Sequence, residues 1–245
     1  MIKEELEGIG PVLRSQLLAA QAGVEHFCSM RDAKSPGRGV WMPRQVHGTD
    51  IVEVDKDTPF DTSVELQPVE ADAVMTQEVD RWIGVRTADC VPALLYDPEH
   101  KAVAAVHAGW RGTVAHIVRR VVASMCERYG TKAECLYAVI GPSISPEAFE
   151  VGEEVARAFV EAERGDCVLH ELWGERGRVR LPKPHVDLWQ SNVMDLMEMG
   201  VQLERIDCTP WCTFGNNDQL FSARREGIGT GRIVSAICVK HVKND

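Results

Sequence analysis

The stretch RTADCVPALLYDPEHKAVAAVHAGWRGT, residues 86–113, holds two apolar runs of strand length separated by a charged, proline-containing turn. Val91 to Tyr96 and Ala102 to Val106 do not alternate with polar residues, so each reads as a strand covered on both faces. Cys90 stands just before the first run and His107 just after the second, seventeen positions apart. The sequence leaves open whether the two ends meet, because that depends on sheet topology.

Outward from this pair, Ile51 to Val54, Trp82 to Val85, Leu136 to Ile140 and Ile233 to Val239 read as further strands of the same covered kind. Helical spacing of Val114, Ile117, Val118, Val121, Val122 and Met125 predicts a helix with Thr113 at its start and Gly130 at its end. Further helices are expected over 152–163 and from Asp187 to Met199, where Gly200 terminates the stripe of Leu188, Val193, Leu196 and Met197. An N-terminal helix is expected near Pro11 to Ala22, and GERGRVRLPKPH, residues 174–185, reads as a charged surface loop. Strands alternating with helices over 245 residues suit one α/β domain spanning residues 1–245.

Composition narrows the partners. The formal net charge is −10 and no Lys/Arg-rich run is present, which argues against a nucleic-acid partner. MIKEELEG is acidic and precedes no apolar segment with a small-residue cleavage site, and no run of apolar residues is long enough for a membrane span. A cytoplasmic protein, monomeric or a small homo-oligomer, is expected. The eight cysteines are scattered without a secretory pattern and read as reduced thiols, mostly small core residues.

His47, in RQVHGTD, precedes another strand, so it shares a strand-edge position with Cys90 and His107. Taken singly, such a cysteine packs as a small apolar residue and such a histidine is structural. Together they fit two chemistries. In one, an imidazole deprotonates Cys90, which attacks an amide or ester. In the other, Cys90, His47 and His107 are three ligands of a zinc ion with a fourth position open, as catalysis requires. HAGWRGT adds Arg111 and a helix start, a suitable place for an anion.

Copper also accepts cysteine and histidine, but a multicopper centre relies on His-X-His pairs, and none of the eight histidines forms one. Cys208 and Cys212 lack a companion pair for a second metal. Neither a Gly-X-Gly-X-X-Gly turn nor a phosphate loop ending in Gly-Lys-Ser/Thr occurs, which leaves dinucleotide and ATP chemistry unsupported. IGPSISPEAFEVGEE, residues 140–154, reads as a shaped loop between a strand and a helix. LFSARREGIGTGR, residues 220–232, places Arg224 and Arg225 beside glycines, either as a phosphate clamp or as a charged loop.

The segments RQVHGTDIVEVD, ADAVMT, GVRTADCVPALLYDP, AAVHAGWRGT, IGPSIS, AFEVGEEV, KPHVDLWQSN and FSARREGIGTGR, in this order, resemble the family variously called YfiH-like, laccase-domain or polyphenol oxidase proteins. The resemblance runs from about Val24 to Val239. It implies an α/β (α+β) fold, layered α/β/β/α with mixed β-sheets, similar to the catalytic domain of a deamidating bacterial toxin. It implies zinc held by His47, Cys90 and His107, with copper the less favoured metal. The implied activity is phosphorolysis of adenosine, inosine, guanosine and methylthioadenosine to base and ribose 1-phosphate or its methylthio analogue, with adenosine deamination as a second activity.

For those reactions Arg44, Arg86, Arg111 and Arg225 are candidates to place phosphate. Asp72 and Asp89 are candidates to move protons, with alternative roles in orienting a ligating histidine and in capping a turn. Cys90 and His107 are also the candidates for direct catalysis. The chain departs from the family pattern at FSARR, where Ala223 replaces the usual tyrosine, and at FCSMRDAKSP, which lacks the common Gly-Gly. Neither departure touches a ligand candidate; both bear on substrate preference and the pocket rim. The rival readings are a copper-dependent phenol oxidase, a cysteine hydrolase or deamidase, and a binding protein for a nucleoside-like or peptidoglycan-precursor ligand.

Overall fold

In the computed structural model, which describes residues 1–174 and 177–241, the stretch around residues 91–108 is an antiparallel hairpin at the centre of a six-stranded sheet. The turn is tight because Asp97 Oδ1 accepts the backbone N–H groups of Glu99 and His100 at 2.9 and 3.1 Å. In chain order the elements are β1 (Ile2–Leu6), β2 (Gly10–Arg14), α1 (Gln16–Ala19), β3 (Val24–Ser29), β4 (Ile51–Glu53), β5 (Ala73–Thr76), β6 (Ile83–Thr87), β7 (Val91–Asp97) and β8 (Ala102–Ala108). There follow α2 (Trp110–Val114), α3 (Ile117–Tyr129), β9 (Tyr137–Ile140), α4 (Glu153–Glu161), β10 (Val168–Gly174), β11 (Gly177–Val186), α5 (Leu188–Glu198), β12 (Ile206–Cys208), α6 (Ala223–Glu226) and β13 (Ile233–Val239).

One sheet has the order β12-β9-β7-β8-β5-β4, with parallel pairing only at its two ends. The second, β1-β2-β3-β13-β6, is antiparallel throughout, and β10 and β11 form a separate ribbon. The uninterrupted apolar character of β7 and β8 follows from the layering. Ala93, Leu95, Ala104 and Val106 face a core shared with Ile117, Val121 and Phe159 of the helices. Leu94, Tyr96, Val103 and Ala105 face Ile83, Val85, Ile237 and Val239 of the second sheet. Fully burying each leucine contributes roughly 1.5–3 kcal/mol. The layered, mixed α/β fold expected from the sequence is therefore present. Beyond the second sheet, Val12, Phe27, Val234 and Ala236 are covered by Val40 and Met42. No helix among the described residues is long and apolar enough to cross a membrane.

Several local expectations change. The helix expected from Thr113 to Gly130 is split, because His116 takes a left-handed backbone (φ 56°) and its Nδ1 donates to Asp195 of α5 at 2.8 Å. Gly130 does end it, with φ 73°. The N-terminal helix is replaced by β2, whose Val12 and Leu13 pair with Ser29 and Cys28 of β3, and only the turn of α1, capped by Ser15, is helical. Of the expected loop, Gly174 ends β10 and residues 177–185 lie in β11 instead, the two paired as a peripheral ribbon where Pro182 and Pro184 are tolerated; Glu175 and Arg176 lie outside the described residues. The helices expected over 152–163 and 187–199 are α4 and α5, the latter capped by Asp187 Oδ1 accepting from Gln190 N–H at 2.8 Å.

Candidate metal centre and its cavity

The hairpin register settles whether the two strand ends meet. Val91 pairs with Ala108 and Pro92 with His107, so Cys90, one step before β7, arrives beside the end of β8. The third member comes from the edge of the sheet: His47 precedes the edge strand β4, which pairs with β5, which pairs with β8. The donor atoms of His47, Cys90 and His107 all lie within 4.8 Å of one another, and the two imidazoles meet edge to face at 4.8 Å between centroids. His107 is buried, Cys90 half-buried and His47 exposed, so the cluster is open on one side.

Asp72 builds this arrangement. Its fully buried carboxylate accepts from the backbone N–H groups of Val46 (3.2 Å), His47 (2.9 Å) and Gly48 (2.7 Å) and from His107 Nδ1 (2.7 Å). Three successive amides converging on one anion hold His47 in a left-handed backbone (φ 60°), a conformation that costs free energy outside glycine. A carboxylate can only accept, so His107 Nδ1 carries the proton and Nε2 faces Cys90. Burial pushes Asp72 upward, but His107 and the Gly48 and Val46 amides outweigh it and the carboxyl sits below its ordinary range.

The same balance governs Cys90. Burial raises its thiol, yet hydrogen bonds from His107 and His47 more than offset this and bring it down to about 6. His107 is lowered by burial but raised further by Asp72 and by Cys90, to about 9. Both shifts favour a thiolate beside an imidazolium.

One thiolate and two imidazoles, with an open side, suit a borderline-soft divalent ion such as zinc, and also copper. Gly109 supports the fit: a Cβ there would lie 3.1 Å from Cys90 Sγ, 3.1 Å from His47 Cδ2 and 3.8 Å from His107 Cε1. The residue that faces all three donors is the one with no side chain.

The cluster opens into a cavity of about 590 Å³. Leu66, Ile144, Phe149 and Ile228 give it apolar walls, and Arg86, Arg224 and Arg232 give it positive charge. Gln45 fixes the edge of β6 by accepting from Arg86 N–H and donating to Arg86 C=O, both at 2.8 Å. Asp89 lines the cavity with a backbone φ of 87°; its Oδ1 accepts from Thr213 Oγ1 and its Oδ2 from Arg224 N–H, each at 2.6 Å. Both oxygens are thus engaged, Oδ2 joining α6 and Oδ1 joining Thr213 to the residue before Cys90.

Of the arginines expected from sequence, Arg86 lines the cavity while Arg44 and Arg111 do not. Arg44 pairs with Glu70 on the surface, and Arg111 stacks on Trp110 at 4.4 Å. Arg225 lies outside the lining, its Nη1 donating to Phe214 C=O, whereas its neighbour Arg224 is inside. Sequence reasoning missed Gln45, Phe149, Ile228 and Arg232, although the last two lie in the glycine-flanked LFSARREGIGTGR segment. All eight cysteines are free, and Cys212 Sγ accepts from the amides of Ser145 and Gly215 at 3.3 and 3.4 Å.

Residues 21–240 match the family described as multi-copper polyphenol oxidoreductase laccase. A purine nucleoside phosphorylase of Bacteroides thetaiotaomicron is 45% identical over 168 residues, 69% of this chain and 60% of that protein, so the match spans less than two thirds of the relative's length. Adenosine deaminase RL5, from an unknown prokaryotic organism, is 38% identical over 201 residues, 80% of this chain and 73% of that protein. The crystal structure of YlmD from Geobacillus stearothermophilus shares the fold, with a TM-score of 0.79 at 23% identity over 98% of this chain and 99% of that one. The matched region contains the whole His47, Cys90 and His107 cluster and all but the first two strands, and the chain belongs to the multi-copper polyphenol oxidoreductase laccase family.

Proposed function

We propose that this chain, as one domain, is a zinc-dependent purine nucleoside phosphorylase acting on adenosine, inosine, guanosine and methylthioadenosine, with adenosine deamination as a side activity. The observation that carries the reading is a single cavity joining the His47, Cys90 and His107 cluster to three arginines and an apolar wall. The names of the relatives, phosphorylase and deaminase, are consistent with it. The eight free thiols suit a cytoplasmic location.

His47, Cys90 and His107 would hold the metal, which supplies positive charge for the electrons that collect on the departing base. Arg224 and Arg232 donate to backbone carbonyls rather than to carboxylates, so they keep their charge for an anion. They would hold phosphate, assisted by Arg86, whose Nη1 is shared with Glu65 at 3.0 Å, so that one oxygen attacks C1′ of the ribose while the bond from C1′ to the base nitrogen breaks. The base leaves with the electron pair and takes up a proton. Asp72 keeps His107 in one tautomer, and Asp89, with both oxygens engaged, fixes the cavity wall. The test is incubation of inosine with and without phosphate: phosphate-dependent release of hypoxanthine and ribose 1-phosphate supports the reading, and phosphate-independent turnover or none overturns it.

A second reading rests on the chain of Cys90, His107 and Asp72, which has the order of nucleophile, base and orienting carboxylate. Iodoacetamide labelling of Cys90 in metal-replete protein, with loss of activity, would favour that hydrolase. Phenol oxidation appearing only on addition of copper would favour an oxidase.

A further inference from the structure

Ile228 is 89% exposed, far more than any other large apolar side chain among the described residues, the next being Val160 at 58%. It is also part of the cavity wall. An isolated exposed apolar residue is ordinary on a protein surface; one that stands at the mouth of a charged, metal-ligating cavity is not scattered at random.

The loop that carries Ile228 is held in shape. Arg232 donates through Nη2 to Ile228 C=O at 2.9 Å and through Nη1 to the carbonyls of Thr230 and Gly231. Glu226 accepts from Thr230 Oγ1 and Arg31 Nη2, each at 2.7 Å. Gly227, at φ 88°, makes a turn that a side chain would strain, and a Cβ at either Gly227 or Gly229 would meet only open space. The chain thus holds an isoleucine clear of its own core and fixes the carbonyl beside it, with no protein partner for the side chain.

We propose that Ile228 is a specificity residue that covers the apolar face of a purine base at the cavity mouth, opposite in role to the arginines that take phosphate. The inference rests on the phosphorylase reading of the site and names its substrate class by surface: a fused bicyclic base offers more apolar area to an exposed isoleucine than a single pyrimidine ring. Because the side chain has no packing to lose, its removal leaves the fold and the metal untouched and acts on base binding.

Steady-state phosphorolysis tests this with zinc-loaded wild type, Ile228→Ser and, as a surface control, Val160→Ser. The KM for inosine should rise about tenfold in Ile228→Ser, equivalent to about 1.4 kcal/mol, with the KM for phosphate and the zinc content within twofold of wild type. The kcat/KM for inosine should fall more than that for uridine, and Val160→Ser should behave as wild type. An inosine KM within twofold of wild type overturns the inference while leaving the phosphorylase reading intact. A wild type that cleaves no nucleoside overturns that reading instead, and the contact is then read by binding. Ile228→Trp should show a saturable emission change on inosine addition that wild type lacks; absence of that change overturns the inference.

Discussion

His107 Nδ1 lies 2.7 Å from Asp72 Oδ1, and that same carboxylate gathers the three amides that shape the turn at His47. One buried anion therefore orients one candidate ligand through its ring and the other through its backbone. The two imidazoles are coupled mechanically although one lies on the central strand β8 and the other just before the edge strand β4.

Replacing Asp72 with Asn should loosen both. The amide keeps one acceptor but turns an NH2 toward amides that need an oxygen, so zinc affinity should fall by about 10–100-fold, the usual consequence of losing a residue that supports a ligand. Competition against a chromophoric chelator measures it. An affinity within twofold of wild type would show that Asp72 does not organise the site.

Gly109→Ala separates the metal centre from the fold. The added methyl meets Cys90 Sγ and His47 Cδ2 at 3.1 Å, closer than most Cβ contacts, while the helix it precedes faces no new clash with the sheet. Zinc affinity should drop at least tenfold, with the metal-free Tm within a few degrees of wild type. Equal zinc affinity would mean the three donors do not converge on the space in front of Gly109.

How much of this was legible in the sequence depended on locality. β7 and β8 were readable because both faces of each are apolar, and α5 because Asp187 and Gly200 bracket its stripe. β3 was missed because Glu25 and His26 interrupt its apolar pattern, and β5 because it is only four residues long. His47, Cys90 and His107 stood out by type and position, but their convergence follows from strand register across 60 residues of chain, which no local pattern encodes. Arg44 and Arg111 adjoin candidate sequence segments yet turn to Glu70 and Trp110, because chain neighbours project to different sides. Arg224 and Arg232 reach the cavity from a segment far away in the chain, carried there by the bonds of Asp89 and by β13.

Thr213→Val tests the link between Asp89 and the cavity wall. The substitution preserves shape but leaves Asp89 Oδ1 without its 2.6 Å donor at a buried position. Stability should fall by roughly 1–3 kcal/mol, read from urea unfolding, and the KM for phosphate should rise as Arg224 loses its anchorage. No change in either would remove Asp89 from the account of the wall.

His26 predicts an acid limit that owes nothing to the metal centre. Burial, helped by the nearby positive charge of Arg14, holds this imidazole down to about 3 from an ordinary value of 6.5, and its Nε2 accepts from Ser15 N–H at 2.8 Å. Above pH 6.5 both folded and unfolded chains carry it neutral. Below 6.5 the unfolded chain binds a proton that the folded one refuses until about 3, so stability should fall with decreasing pH across that window, by about 1.4 kcal/mol per pH unit from this group. Urea midpoints of wild type and His26→Gln between pH 7.5 and 4.5 check it. The glutamine, able to accept from Ser15, should flatten the slope; parallel slopes would exclude His26 as its source.

The central claim is that His47, Cys90 and His107 bind one ion together. X-ray absorption at the zinc edge of stoichiometrically loaded protein measures this directly. The account predicts a shell with one sulfur at about 2.3 Å and two imidazole nitrogens at about 2.0–2.1 Å, the sulfur contribution vanishing in Cys90→Ser. A shell without sulfur, or one whose sulfur persists in that variant, would contradict it.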